Sequence, residues 1–169
     1  MVEMNPAMQP GILVIGIGNP DRRDDGAGPA VARMIRNGHT SVAVVEKTGD
    51  PLELIELWDG AQLAIVVDAV SSGRPPGTVI RIETAGSAIP DRSHSTHGLG
   101  LHTAIELAGE IGRLPDNLIV FAIEGLDFSY GCGFSDEVSA GIEACARMIS
   151  EVINNAEPDC KIETVPSPE

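Results

Sequence analysis

Basic residues are scarce in this chain, in which 11 Lys and Arg stand against 25 Asp and Glu, a formal net charge of −14. Nucleic-acid binding needs many Lys and Arg for phosphate contacts, so this composition excludes it as a main activity. An acidic surface is equally unsuited to anionic membranes. The sequence also lacks an apolar run of the roughly 20 residues that a membrane span needs, and it lacks the regions of a signal peptide. We therefore expect a cytoplasmic protein with neither a nucleic-acid nor a membrane partner.

Cysteine and aromatic residues are also rare. The three cysteines, Cys132, Cys145 and Cys160, are too widely spaced for a disulfide framework or a metal knuckle. Aromatic residues make up 3% of the 169 residues and hydrophobic residues 43%, so aliphatic side chains must fill the core. This length suits one compact unit. We predict a single domain over residues 1–154 and a mobile, proline-containing tail over 155–169.

Apolar runs of strand length alternate with helical patterns, which is typical of an α/β protein with a largely parallel sheet. Two of the strands are continuously apolar and are predicted to be buried, and the fourth follows a turn cluster and is predicted to be an edge strand. The predicted strands are 11–17, 41–46, 63–67, 78–83 and 118–123. The predicted helices are 25–37, 52–58, 99–111 and 135–153.

The most informative segment is the turn after the first strand. It contains Gly16 and Gly18 and then two adjacent acids, Asp24 and Asp25. Glycines at such a turn usually serve a phosphate group, which helix N-terminal amides attract. Two acids would repel phosphate, so the turn is predicted to hold a carboxylate for a cation or for acid/base chemistry. For Asp24, capping of the following helix is an equally good interpretation.

Three polar residues are predicted to meet at the carboxyl edge of the sheet, where ligands of open α/β sheets bind. Asp25 follows the first strand, Asp68 ends the third, and His97 precedes the helix that begins near residue 99. Two carboxylates and an imidazole suit a divalent ion such as nickel or zinc, and three protein ligands leave positions open for substrate. The same residues could instead transfer protons. His94 is as reasonable a candidate as His97 on composition alone.

Four motifs carry a resemblance to a known family, the nickel-iron hydrogenase maturation endopeptidases. They occur in the family's order within residues 11–150, and the first is the most specific. The motifs are Gly16-Ile-Gly-Asn-Pro-Asp-Arg-Arg-Asp-Asp-Gly-Ala-Gly28, Val66-Val-Asp-Ala69, Ser95-Thr-His-Gly-Leu-Gly-Leu101 and Ser129-Tyr-Gly-Cys-Gly-Phe-Ser-Asp-Glu-Val138. The segment 20–23, Pro-Asp-Arg-Arg, departs from the family's more apolar pattern, which affects the lip of the cleft and the choice of partner.

The resemblance implies a three-layer α/β sandwich, phosphorylase/hydrolase-like, with helices on both faces of a five-stranded, twisted and mostly parallel sheet. It implies an endopeptidase that removes the C-terminal extension of a hydrogenase large-subunit precursor after nickel insertion. Asp25, Asp68 and His97 carry over as the residues that recognise nickel bound in the substrate. No resident cofactor is expected, and we expect the same three side chains to accept zinc, cadmium or nickel. The protein is expected to be a monomer that partners the precursor, and the resemblance leaves open an aspartic or a metal-assisted mechanism.

Other interpretations stay open at this point. Cys132, between two glycines, is a candidate nucleophile, but the sequence offers it no clear His partner, which favours a free thiol. The Asn19-Pro20 step is similar to peptidyl-tRNA hydrolase, although that family's Arg-His-Asn-x-Gly motif is missing. A dinucleotide-binding module would need a third glycine where Asp21 stands. A non-catalytic metal-binding accessory protein could use the same three ligands.

Overall fold

A five-stranded sheet forms the centre of the computed structural model, which describes residues 11–84 and 98–156. The strand order is β2-β1-β3-β5-β4, and all neighbours are parallel except β4, which is antiparallel to β5 at one edge. The strands are β1 Ile12–Ile17, β2 Ala43–Lys47, β3 Leu63–Val70, β4 Val79–Thr84 and β5 Asn117–Glu124. The predicted mostly parallel sheet and the predicted edge strand are confirmed.

Helices cover both faces of the sheet. They are α1 Ala27–Gly38, α2 Pro51–Trp58, α3 Gly98–Glu110 and α4 Asp136–Ala156, with a 3-10 turn at Arg23–Gly26 before α1. Alternate strand residues point to opposite faces. Val14 therefore packs with α1 and α4, whereas Leu13 and Ile15 pack with α2 and α3. Two largely aliphatic cores, one on either side of the sheet, give the predicted three-layer sandwich.

The boundaries differ from the predictions at two places that matter for the site. Asp25 belongs to the 3-10 turn rather than to α1, because its amide donates to the carbonyl of Arg22 and the turn continues with i→i+3 bonds. Asp68 does not end β3, because pairing with β5 continues as far as Val70 and Glu124. Asp68 is therefore held inside a rigid, fully buried strand.

Some predictions lie outside the described residues. These are the predictions for segment 85–97, with both candidate histidines, His94 and His97, and for most of the predicted tail, since α4 continues to Ala156. Within the described ranges, no helix combines the length and the apolar character needed to cross a bilayer.

Candidate active site

The sheet has a topological switch point between β1 and β3. From β1 the chain crosses to β2 on one side, and β3 lies on the other. The loops that follow two such neighbouring strands run in opposite directions, and this opens a crevice at the carboxyl ends of the strands. Open α/β sheets bind their ligands in that crevice. The turn that carries Asp25 follows β1, and Asp68 is close to the end of β3.

Glycines bring the start of α1 directly against both strands. A Cβ atom at Gly28 would overlap the carbonyl oxygens of Ile17 and Val67, and one at Gly16 would overlap the carbonyl of Gly28. Only glycine permits such a close approach of backbone to backbone. As a result the 3-10 turn contacts β3, and the segments that carry Asp25 and Asp68 meet at the switch point.

Both predicted carboxylates are buried, each with 2% of its surface exposed. The amide of Asn19 donates to Asp25 Oδ2 over 3.0 Å, which fixes the orientation of that carboxylate. Side chains alternate between the two faces along β3, and Val66 packs towards α2 and α3. Asp68 is two residues later, so it lies on the face of the sheet that α2 and α3 cover. Within the described part of the chain, no three His, Cys, Asp or Glu side chains are grouped to hold a metal ion. The third predicted ligand, His97, lies outside that part.

Residues 18–25 of the turn are not a phosphate cradle, because their amides are already used within the protein. The pairs are Gly18 to Lys47 O, Asn19 to Asp25 Oδ2, Asp21 to Asn19 Oδ1, Arg22 to Asn19 O, Arg23 to Gly131 O, Asp24 to Asp127 O and Asp25 to Arg22 O. Phosphate binding at a glycine turn depends on amides that point at the ligand. A dinucleotide would find few such donors here, and two acids beside them.

Asp24 has a structural role that differs from the predicted helix cap. The carboxylate caps neither the 3-10 turn nor α1. It accepts four hydrogen bonds of 2.8–2.9 Å from the loop 125–135, donated by the amides of Leu126, Asp127 and Ser135 and by the Ser135 hydroxyl. Burial opposes ionisation of Asp24, but these hydrogen bonds outweigh it and hold the pKa below the ordinary value of 3.8. Both oxygens of Asp24 are thus committed to the loop.

Replacing Asp24 by asparagine is expected to destabilise the protein by about 3 kcal/mol, since an amide nitrogen would face buried donors. The expected pH dependence follows from the lowered pKa. The stabilisation by ionised Asp24 is complete above about pH 4 and is lost as the pH falls through the folded-state pKa. Urea unfolding should therefore show a gap in the free energy of unfolding between wild type and Asp24→Asn at neutral pH, and this gap should narrow near pH 3. The exposed neighbour Asp21, changed to asparagine, is the control, and a gap that is constant with pH would contradict this role.

A fourth buried carboxylate, Glu124, was missed in the sequence. It ends β5 after an apolar run, the same signal that singled out Asp68. Its oxygens accept hydrogen bonds from the amide and hydroxyl of Ser72, both at 2.7 Å, and from the amide of Gly73 at 3.0 Å. Glu124 therefore anchors the loop that follows β3.

The remaining candidates do not join this arrangement. Cys132 is a free, exposed thiol, as expected, and Cys145 is buried in the core, where burial raises the pKa of its thiol to about 12. His39 hydrogen-bonds the Ser150 hydroxyl, and His102 pairs with Glu106 on α3.

Comparison with known proteins gives a consistent result. The sequence model of HycI, hydrogenase maturation protease, matches residues 30–152. Hydrogenase expression/formation protein HupD of Thiocapsa roseopersicina is 25% identical over 150 residues, which cover 85% of this chain and 68% of that protein. Among solved structures, the hydrogenase maturating endopeptidase HybD from Escherichia coli has a similar fold, with a TM-score of 0.75 and 22% identity over 88% of this chain and 94% of that chain. HybD from Thermococcus kodakarensis, a NiFe hydrogenase maturation protease, gives a TM-score of 0.68 at 22% identity over 86% and 99%.

Proposed function

Because the chain belongs to the hydrogenase maturation protease family and is therefore a peptidase of hydrogenase maturation, we propose that it removes the C-terminal extension of a nickel-iron hydrogenase large-subunit precursor after nickel insertion. The observation that carries this proposal is the pair of buried carboxylates, Asp25 and Asp68, at the switch point of the sheet. Family membership sets aside the peptidyl-tRNA hydrolase, dinucleotide-binding and accessory-protein interpretations. We further propose that the protein acts as a cytoplasmic monomer without a resident cofactor.

In this proposal the nickel ion belongs to the substrate. Asp25, Asp68 and His97 bind the nickel that is already held in the precursor, and this places the bond to be cleaved beside them. Two carboxylate oxygens and one imidazole nitrogen are ligands that borderline divalent ions accept. The same donor set would accept zinc or cadmium in the isolated protein.

The surroundings of Asp25 and Asp68 support a site that is arranged to bind a cation. The Asn19 amide holds Asp25 in one orientation, as outer partners of metal ligands do. The close packing of Gly28 on Ile17 and Val67 fixes the turn against β3. Two buried carboxylates at one crevice repel each other until a cation arrives, so a precursor without nickel would be bound poorly. The arrangement would act as a checkpoint on nickel insertion.

Cleavage would then proceed by attack of water on the scissile carbonyl carbon. The water oxygen bonds to that carbon, the C–N bond breaks, and a proton passes to the leaving amine. Two routes would promote this attack: polarisation of the carbonyl by the substrate's nickel, or abstraction of a proton from the water by one of the aspartates as general base. Both routes use the same three side chains.

The direct test is incubation of the purified chain with nickel-loaded and nickel-free precursor, followed by mass spectrometry of the large subunit. We expect a shortened subunit only from the loaded form, and we expect cleavage of the nickel-free form once nickel is restored. Equal cleavage of both forms would remove nickel recognition from the proposal. Cleavage of neither form, with the hydrogenase precursor of the same organism, would remove the proposed substrate.

A further inference from the structure

Aromatic residues are concentrated beside the site. The chain contains one Trp, one Tyr and three Phe, and three of these five lie within residues 128–134. We call residues 126–134, in the connection between β5 and α4, the rim. A protein this poor in aromatic residues would bury them if they served only its core.

The rim instead exposes its large apolar side chains to solvent. Tyr130 is 81% exposed, Leu126 is 61% exposed and Phe134 is 38% exposed. Phe128 is the exception, because it packs against the core and anchors the rim from below. Exposed aromatic side chains that share one surface with Arg are typical of the centres of protein–protein interfaces.

The rim is held in place before any partner binds. The Asp24 carboxylate binds the backbone at both ends of the rim, at Leu126 and at Ser135 just beyond it. In the middle, the Arg23 amide donates to the Gly131 carbonyl over 3.1 Å, and the Gly131 amide donates to the Asp21 carbonyl over 2.9 Å. A surface that is ordered in advance loses less conformational entropy when it binds.

The rim is also continuous with the candidate active site. A Cβ at Gly26, the residue after Asp25, would lie 3.5 Å from the Phe134 ring. Asp24, which holds the rim, is the residue before Asp25. A polypeptide that reaches Asp25 on this side would therefore pass over Phe134.

Two arginines of the turn before α1 lie against the rim and balance its one charged residue, Asp127, although the chain as a whole carries −14. Arg23 pairs with Asp127 over 3.4 Å. The guanidinium of Arg22 lies 5.5 Å from the centre of the Tyr130 ring and donates to the Phe128 carbonyl. These two arginines belong to the segment 20–23, which comes directly before Asp24 and Asp25.

From this geometry we propose that the rim is the docking surface for the precursor polypeptide and that Tyr130 and Phe134 contact apolar side chains next to the scissile bond. This inference rests on the proposed function. It makes Tyr130, Phe134 and Leu126 specificity-determining residues that touch the substrate polypeptide but not the nickel. A balanced, aromatic surface favours such a polypeptide over the phosphates of a nucleic acid or a membrane.

The test measures the affinity of the chain for the nickel-loaded precursor of the same organism, with Tyr130→Ser and Phe134→Ser as variants. We expect the Kd to rise about tenfold or more for each. Tyr130→Phe should keep near wild-type affinity, because it keeps the ring. Met34→Ser and Ile111→Ser are matched controls, since these side chains are 43% and 51% exposed on other surfaces. Binding of nickel alone should be the same in all variants.

The outcomes separate this inference from the proposed function. Wild-type affinity in both rim variants would overturn the docking surface even if the precursor is processed. An equal loss in the control variants would overturn it too, because the effect would not belong to the rim. If the precursor binds without being cleaved, the proposed function fails, and the Kd values still decide the role of the rim. If wild type does not bind the precursor, the rim is not its docking surface.

Discussion

Asp25→Asn and Asp68→Asn are each expected to reduce processing of the nickel-loaded precursor by about a thousandfold or more, with the fold intact. An asparagine has nearly the size of the aspartate but carries no charge, so it is a poor ligand for a divalent ion and no general base. Both positions are buried, and the change leaves their volume almost the same. The rate of appearance of the shortened subunit measures the effect, and calorimetry with nickel, zinc or cadmium should show a parallel loss of affinity.

Glu124→Gln is the matched control for this pair. Glu124 is also buried at the carboxyl edge of the sheet, but its oxygens bind Ser72 and Gly73. The variant should unfold at a lower temperature and still bind the metal. Full processing by Asp25→Asn or Asp68→Asn would remove that residue from the mechanism. A loss of metal binding in Glu124→Gln equal to theirs would show that burial of charge, and not ligation, explains the effect.

His97→Ala is expected to lower processing of the precursor by about a hundredfold or more, because the imidazole is the third ligand of the proposed set. His94→Ala, three residues earlier, is the comparison, and it should process at nearly the wild-type rate. The two histidines lie outside the described residues, so the choice between them rests on the Ser95–Leu101 motif. Initial rates with one batch of loaded precursor measure the difference. A damaging His94→Ala beside a silent His97→Ala would assign the imidazole to His94.

The layers of the fold could be predicted because each rests on a local pattern. The continuous apolar runs of β1 and β3 are those of strands buried on both faces, and the structure places both inside the sheet. Asp50 directly precedes Pro51, and its side chain caps α2 by accepting from the amides of Leu52 and Glu53. The end of β3 was placed too early, because its final residues are kept extended by pairing with β5, which is remote in sequence.

For the site, the sequence could supply residue types but not their partners. Asp24 and Asp25 are chemically identical neighbours, and the local pattern left helix capping and a functional role equally open for Asp24. The structure separates them through Leu126, Asp127 and Ser135, which are more than 100 residues away along the chain. Glu124 carried the same local signal as Asp68 and went unnoticed, and only its contacts with Ser72 and Gly73 identify its role. Residues 129–134 of the rim belong to the last of the four motifs, but nothing in the local sequence shows which of their side chains are exposed.

The hydrogen bonds of Asp24 also set an order of events during synthesis. Residues up to Val70 contain β1, β2 and β3, so three adjacent strands can leave the ribosome well before the segment that Asp24 binds. The residues that Asp24 binds lie 102 to 111 residues further along the chain, and contacts of such long range form late in folding. Until then the Asp24 carboxylate is exposed to water, and the loop that it binds is not yet in place beside Asp25. A nascent chain therefore lacks this part of the candidate active site until residues 126–135 have emerged.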